Sequence, residues 1–258
     1  MKITACYKWV LDEQDIKISP GNFALDTSRA KSRISEYDKN AMEEAVLLAE
    51  SCGAETSAMT FGSAAAKASL KDALSRGPVQ AIWIKDARAD HADGQVTAMV
   101  LAAAIQKVGC PDLLLFGEGS SDQYGQQVGP RVAALLDIPV ITFASAIEIA
   151  GESVIVTRKL EDCVQQVTAK MPVLVTVLPE INKPRIPSLK QVLGAAKKKV
   201  TEFSIADLAL TEAQLLPKTK VVSLQGFVMK RKNQIYKNGT TSEMIAGLVE
   251  NLHKDGVL

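Results

Sequence analysis

Histidine is nearly missing: His91 and His253 are the only two in 258 residues. A histidine metal site or a Ser-His-Asp triad therefore has little to be built from. The four cysteines, Cys6, Cys52, Cys110 and Cys163, lie far apart with no CxxC, so neither a zinc knuckle nor a redox pair is indicated. Small buried core thiols in a reducing cytoplasm are the expectation. Neither sign of charge is in excess. The formal net charge of +1 speaks against nucleic acid or an acidic membrane as the main partner. Long apolar runs are absent too, so no membrane span is expected. The opening MKITACYKWVLDEQD turns acidic after one short strand, so no signal peptide is expected and a cytoplasmic location is. GxGxxG and GxxxxGK[ST] are both missing, which disfavours a dinucleotide Rossmann site and a P-loop. The first strand also lacks an SGGxDS-like loop, so an ATP pyrophosphatase is not indicated.

A hydrophobic fraction of 47% is ample for a core. Ile3 to Tyr7 reads as an opening strand, and residues 13 to 34 as irregular or weakly paired around a Pro20-Gly21-Asn22 turn. Ser35-Glu36-Tyr37-Asp38 has the form of a capping box, a hydroxyl with a carboxylate three residues on. Behind it Tyr37, Ala41, Ala45, Leu48 and Ala49 make an apolar helical stripe that stops at Gly53. Ser57 to Phe61 and Ala81 to Ile84 are further strands, separated by a helix ending at Arg76-Gly77-Pro78; Gly94 to Val108 is an Ala-rich helix. Strands alternating with helices of this length predict a mostly parallel sheet with helices on both faces. From about residue 145 the rhythm changes. Ala146 to Ile149, Val154 to Leu160 and Val164 to Thr168 read as short antiparallel strands, and Val173 to Val177 as another buried strand. Three prolines punctuate Pro179 to Leu193, then a short helix leads into Lys197-Lys198-Lys199, a run read as a solvated face. From about Thr201 the βα rhythm is lost. There remain a short Ile205 to Leu210 helix, an isolated Val221-Val222 strand, a basic Lys230-Arg231-Lys232 and a last helix starting at Thr240 or Thr241. A tail with so little core of its own is expected to pack on something else.

One stretch organises the rest. Leu113 to Phe116 is an apolar run suited to a strand buried on both faces, and Val128, Val132, Ala133, Leu135 and Leu136 recur at helical spacing. Between them lie Gly117, Gly119, Ser120, Ser121, Asp122 and Gly125. A strand, a Gly/Ser loop and a helix N-terminus can cradle a phosphate, because glycine lets the backbone approach and the first helical N–H groups point at the anion. Ligands of open parallel sheets bind outside the carboxyl ends of strands. The other such ends here are Cys6-Tyr7-Lys8 and Phe61-Gly62-Ser63, with the Ser35 to Asp38 helix start near them. Phosphate would go to the N–H groups of Gly125 to Val128, and a base to apolar and main-chain groups at Cys6, Tyr37 and Phe61. On the residues alone an adenine-nucleotide site stands beside an ordinary strand-to-helix turn with Tyr37 and Phe61 as core aromatics.

Four elements carry a resemblance to a known family. They are Lys8-x-Val10-x-Asp12, Asn40-Ala41-x-Glu43-Glu44-Ala45, the Asp122 to Gly129 loop, and Glu161-Asp162 … Gln165-x-Val167-x4-Pro172-x-Leu174-Val175-Thr176. Over residues 1 to about 200 the chain resembles the β subunit of electron transfer flavoprotein. Within that family it is most similar to the bacterial branch associated with carnitine metabolism and nitrogen fixation, to which Pro184 to Lys190 and Gly194 to Lys198 also look similar. Cys163 departs from the pattern, standing where relatives usually have Gly, Asp or Glu.

The resemblance implies an α/β fold like that of the adenine nucleotide alpha hydrolases. It has a small antiparallel addition and an extended C-terminal arm. Residues 1–200 would form the nucleotide-binding domain, with a partner-recognition segment near 184–198, and 201–258 an arm packed on an α subunit. It implies a heterodimer with that α subunit, which shares the redox FAD, and electron traffic with acyl-CoA dehydrogenase-type flavoenzymes. The β site would hold AMP or, in a flavin-bifurcating variant that oxidises NADH, a second FAD. Carried over by position, that site comprises Cys6, Ser35, Glu36, Tyr37, Asp38, Phe61, Gly117, Glu118, Gly119, Ser120, Ser121, Asp122, Gln123, Tyr124, Gly125, Gln126, Gln127 and Val128. Leu189 aligns with the residue that anchors the partner dehydrogenase. The loop departs from many AMP-type relatives: Asp122 is followed by Gln123-Tyr124-Gly125, and the run ends Gln127-Val128-Gly129-Pro130. That ending looks like the bifurcating relatives, whereas Gln123 stands where those often place glycine, leaving less room for a diphosphate. No catalytic or metal residues are expected. A flavin-free nucleotide-binding signalling module of the same fold is the rival from another class.

Overall fold

Short apolar runs separated by helical stretches make the first half of the chain alternate strand and helix. A computed structural model describes residues 1–228 and 231–258, so Lys230 of the basic stretch lies outside the described residues. In chain order the elements are β1 (Lys2–Cys6), β2 (Trp9–Leu11), β3 (Lys17–Ile18), β4 (Leu25–Asp26), β5 (Ser32–Ile34), α1 (Glu36–Cys52), β6 (Glu55–Gly62), α2 (Lys67–Ser75), β7 (Gln80–Lys85), α3 (Gly94–Val108), β8 (Leu113–Gly117), α4 (Val128–Leu136), β9 (Val140–Ala150), β10 (Ser153–Lys159), β11 (Val164–Lys170), β12 (Val173–Val177), α5 (Leu189–Ala195), β13 (Lys199–Ser204) and α6 (Thr241–Lys254). Contacts divide the chain into two units, Met1–Lys17 with Asp26–Ser223, and Ile18–Leu25 with Leu224–Leu258.

The first unit is built on a nine-stranded sheet in the order β11-β10-β9-β12-β8-β1-β6-β7-β13. From β9 to β13 neighbouring strands run parallel, and β10 and β11 extend one edge antiparallel. This is the expected mostly parallel α/β sheet with a small antiparallel addition. Side chains alternate between its faces. Ile3 and Ala5 of the first strand, with Tyr7 just beyond its end, join Leu113, Leu115, Val173 and Val175 under α1. Cys6, Met59, Phe61, Leu114 and Phe116 point the other way and pack on α3 and α4. Both faces are covered, which is why the central strands read as unbroken apolar runs.

Local chemistry ends the helices where the sequence leads one to expect. Gly53 closes α1 in the left-handed conformation (φ 71°), which glycine adopts without a Cβ penalty. The Asp93 carboxylate accepts from the Gln95 and Val96 N–H groups at the start of α3.

Several expectations need correction. The sheet does not stop near residue 200: Lys199–Ser204 pairs in parallel with Gln80–Lys85 as an outer strand. Its burial alternates, Thr201 and Phe203 half-buried and Val200 and Glu202 exposed, as on an edge strand covered on one face, unlike the unbroken apolar runs of the centre. The first strand after α4 is longer than expected, because Val140, Ile141 and Ala144 pair with β12 and the strand then continues along β10. Ile205–Leu208 forms a single 3-10 turn rather than a helix, with Ile205 and Leu208 buried. Val221 and Val222 form no strand and are largely exposed. Of the cysteines only Cys6 is buried; Cys52, Cys110 and Cys163 are exposed, each at or near a helix end or turn.

The second unit centres on α6, which opens with a complete capping box between Thr240 and Glu243. Within it Gly226 N–H donates to the Phe23 carbonyl (2.7 Å), and Asn251 donates to the Tyr236 hydroxyl (2.5 Å). Leu224, Phe227, Ile235, Ile245 and Leu248 remain exposed. Among the described residues no helix is long and apolar enough to cross a membrane.

Candidate functional site

Strand order places the switch of direction beside β1. The chain builds outward on one side through β6 and β7, then crosses to lay β8 on the other side of β1. The carboxyl ends of β1 and β8 therefore open a crevice, the usual ligand position in such a sheet.

The N-terminus of α1 is sewn into that crevice. Ser35 N–H donates to the Lys8 carbonyl (3.0 Å). The Asp38 carboxylate accepts from Lys8 N–H at 2.8 Å and from Gly117 N–H at 3.3 Å, so one buried side chain ties β1 to β8. Gly117 has to be glycine here. A Cβ on it would sit 2.7 Å from Asp38 Oδ1 and 2.8 Å from the Tyr37 carbonyl carbon.

The expected capping box at Ser35 is not formed. Its hydroxyl makes no cap bond; it accepts instead from the N–H of Ser121, at 3.2 Å, and so holds the loop that follows β8. The third-position residue is the reason: Asp38 is engaged by two strand-end amides and cannot reach back to the cap. Glu36 turns outward to Lys39 (2.7 Å) and Arg33.

Within the loop, Asp122 is the hub. It accepts from Lys8 Nζ (2.6 Å), Ser120 Oγ (2.6 Å) and Gln123 N–H (2.9 Å). Tyr124 N–H donates to the Ser120 carbonyl, and Tyr124 and Gln126 adopt positive φ of 46° and 54°. The Tyr124 ring lies 5.1 Å from that of Tyr37 and folds over Gly119, where a Cβ would be 2.6 Å from the ring. Gln123, Gly125, Gln126 and Gln127 are exposed, and Val128 starts α4 with no side chain capping its first turn. Ser121 Oγ is buried without a partner among the described residues. Beside it opens a cleft of about 320 Å³ lined by Glu13, Glu36, Tyr37, Asn40, Ser121 and Pro179.

Electrostatics set these carboxyls apart. Burial pushes Asp38 up to about 7, against the pull of the two amides and Lys8. Burial would raise Asp122 as well, but the adjacent Lys8 ammonium and its hydrogen bonds outweigh it and hold the carboxyl below its ordinary range. Burial raises Glu118, opposed by the Tyr124 hydroxyl, and Tyr124 in turn is pushed up to about 12, by burial and then by Glu118. Burial likewise drives the Cys6 thiol far above its usual value, so it is no nucleophile at neutral pH.

The residues expected at the nucleotide site thus fall into two groups. Ser35, Tyr37, Asp38 and Gly117 to Val128 come together at the switch point. The side chains of Cys6 and Phe61 belong to the core on the α3/α4 face. Leu189 stands elsewhere, at the first position of α5, 75% exposed. Sequence reasoning names Lys8 in the Cys6-Tyr7-Lys8 strand end but gives it no role in the site; its ion pair with Asp122 supplies one. Among the described residues no group of three or more His, Cys, Asp or Glu could hold a metal ion.

An open parallel α/β sheet with a polar Gly/Ser loop and a free helix start at its switch point defines the class: an α/β protein with the crevice that such folds use for ligands. Residues 22–208 match the electron transfer flavoprotein domain, more than half of the chain. The chain belongs to the electron transfer flavoprotein family, a family of flavin-dependent electron carriers, as the motifs had led one to expect.

Proposed function

We propose that the chain is the β subunit of a heterodimeric electron transfer flavoprotein, of the bacterial branch named above. It would hold an adenine nucleotide at the switch point and shape one side of an FAD held mostly by an α subunit. The observation that carries the reading is the Asp38–Gly117, Ser35–Ser121 and Lys8–Asp122 network in a chain of this family. It braces the loop from three sides and leaves the N-terminus of α4 uncapped, where a phosphate gains most from the free N–H groups. Gly125 to Val128 would hold the phosphate, and the unpartnered Ser121 hydroxyl of the same loop would be a further donor to the ligand. Cys6 and Phe61 would contribute main chain only, since their side chains are packed in the core. Bound FAD supplies the electron chemistry; these residues bind and orient.

Tyr124, folded over Gly119, would leave less room in the loop for a diphosphate, which favours AMP over a second FAD. The bifurcating alternative draws on the Gln127-Val128-Gly129-Pro130 turn. Exposed Leu224, Phe227, Ile235, Ile245 and Leu248 suit an arm that is covered by the α subunit. Leu189, exposed and flanked by Ser188 and Lys190, suits a docking residue for an acyl-CoA dehydrogenase-type flavoenzyme. Co-expression with the α subunit is the test. A yellow one-to-one complex is expected; a chain that stays colourless and alone, with α present and folded, would point instead to a flavin-free nucleotide-binding module.

A further inference from the structure

The segment that carries Leu189 is fastened at both ends by charged groups outside the nucleotide crevice. At its start the Arg185 guanidinium spans two carboxylates of α1. Its Nε donates to Glu43 Oε1 and Oε2 at 2.9 and 3.0 Å, and its Nη1 and Nη2 donate to Glu50 Oε1 and Oε2 at 2.7 and 3.2 Å. Arg185 N–H donates to Glu43 as well (3.0 Å). Asn182, three residues earlier, exchanges amide bonds with Asn40 and donates to Glu44 (3.0 Å). Glu43 is nearly buried, so its charge is matched by this one fork. At the far end Lys198 Nζ donates to the Leu74, Gly77 and Pro78 carbonyls at 2.8, 3.1 and 2.7 Å. Three donors meet three acceptors at the negative end of α2.

Between these ties the segment is apolar and outward-facing. Ile186, Leu189 and Leu193 are 93%, 75% and 62% exposed, while Ala195 anchors α5 against Leu70, Leu74 and Trp83. Ser188 and Gln191 add a capping box immediately beside Leu189. A stretch punctuated by prolines and bearing three exposed apolar side chains gains little from its own packing. Beyond the packing of α5 on α2 through Ala195, its order comes from the polar ties, and order bears directly on association, because every side chain immobilised only on docking lowers the affinity.

We propose that Arg185 and Lys198 are positioning residues that hold residues 186–197 in one presented form, so that the partner flavoenzyme meets a pre-ordered docking element. The proposal rests on the reading of Leu189 as a docking residue, and the two can fail separately. Neither side chain touches the nucleotide crevice or the loop Gly117 to Val128 in the hydrogen bonds above. The geometry also separates arginine from lysine: a lysine at 185 has no fork to span Glu43 and Glu50 together.

The test uses the heterodimer with its α subunit, as wild type, Arg185→Gln, Lys198→Met, the double variant, Arg185→Lys and Leu189→Ala. Amide hydrogen exchange of residues 189–195 is read on the heterodimer alone. Electron transfer is read with a short-chain acyl-CoA dehydrogenase kept reduced by butyryl-CoA. The double variant is expected to exchange roughly tenfold faster in that segment and to raise the apparent KM for the dehydrogenase roughly tenfold. Its kcat and its nucleotide content stay as in wild type, and Arg185→Lys falls between. Exchange and KM equal to wild type in the double variant would overturn the proposal, even if the unfolding midpoint fell, since that pattern marks a purely structural tie. If Leu189→Ala leaves KM unchanged, the docking reading fails on its own, and exchange then decides whether the ties order the segment.

Discussion

Replacing Asp38 by asparagine removes a charge from the point where β1, α1 and β8 meet. The wild-type carboxylate is buried and accepts from two main-chain amides. Asparagine keeps one acceptor oxygen and turns an NH2 toward the other amide, so one buried donor is left unmatched. That costs about 1–3 kcal/mol at a pH where both side chains are neutral. The pH dependence is more telling. The Asp38 carboxyl ionises at about 7 in the folded chain against 3.8 ordinarily, so between these values the folded chain binds more protons than the unfolded one. Stability from this group is therefore fully present below 3.8 and is lost as pH rises through about 7. The whole window is worth about 4 kcal/mol, of which about 2 kcal/mol falls between pH 5 and pH 7. Asparagine has no such slope. Urea unfolding of both proteins at pH 5, 6, 7 and 8 should show the wild type losing ground to Asp38→Asn with rising pH. A constant difference, or one that moves in favour of the wild type, would refute the placement of a strained buried carboxyl at the switch point.

Gly117→Ala should lower stability by about 1–3 kcal/mol in thermal unfolding, because the added methyl meets the Tyr37 backbone as well as the Asp38 carboxylate; an unchanged midpoint would mean that the close approach does not exist. Leu189→Ala should weaken electron transfer with the cognate dehydrogenase while flavin content stays constant, and normal transfer kinetics would remove Leu189 from the docking surface. Thiol titration should find Cys52, Cys110 and Cys163 reactive in the native chain and Cys6 only on unfolding; a fourth fast thiol would contradict the packing of the first strand.

What could be read from the residues was what local patterns encode. The central strands showed as apolar runs because both faces are covered, and α1, α3 and the βα order followed from periodicity and caps. The edge strand Lys199–Ser204 was hidden, since it follows a lysine run, carries no apolar–polar alternation, and its partner, β7, lies more than a hundred residues away. Asn40, Glu43 and Glu44 sit on the buried side of α1, where a helical stripe should be apolar, and that was the visible sign of a distant polar partner. The identity of the partner, Asn182 and Arg185, was not visible, because nothing local pairs residues 138 to 142 positions apart. The loop residues of the crevice were readable as a group from glycine and serine content. The use of Ser35 and Asp38 was not, because a capping box and a strand-end tether have the same sequence form.

Nucleotide content tests the central reading most directly. The chain is purified with its α subunit and denatured, and the released FAD and AMP are counted per heterodimer. One FAD and one AMP are expected, with the AMP in the loop from Gly117 to Val128. Two FAD and no AMP would contradict the AMP assignment and put a second flavin in that loop; neither nucleotide in a folded complex would contradict the electron-carrier reading itself.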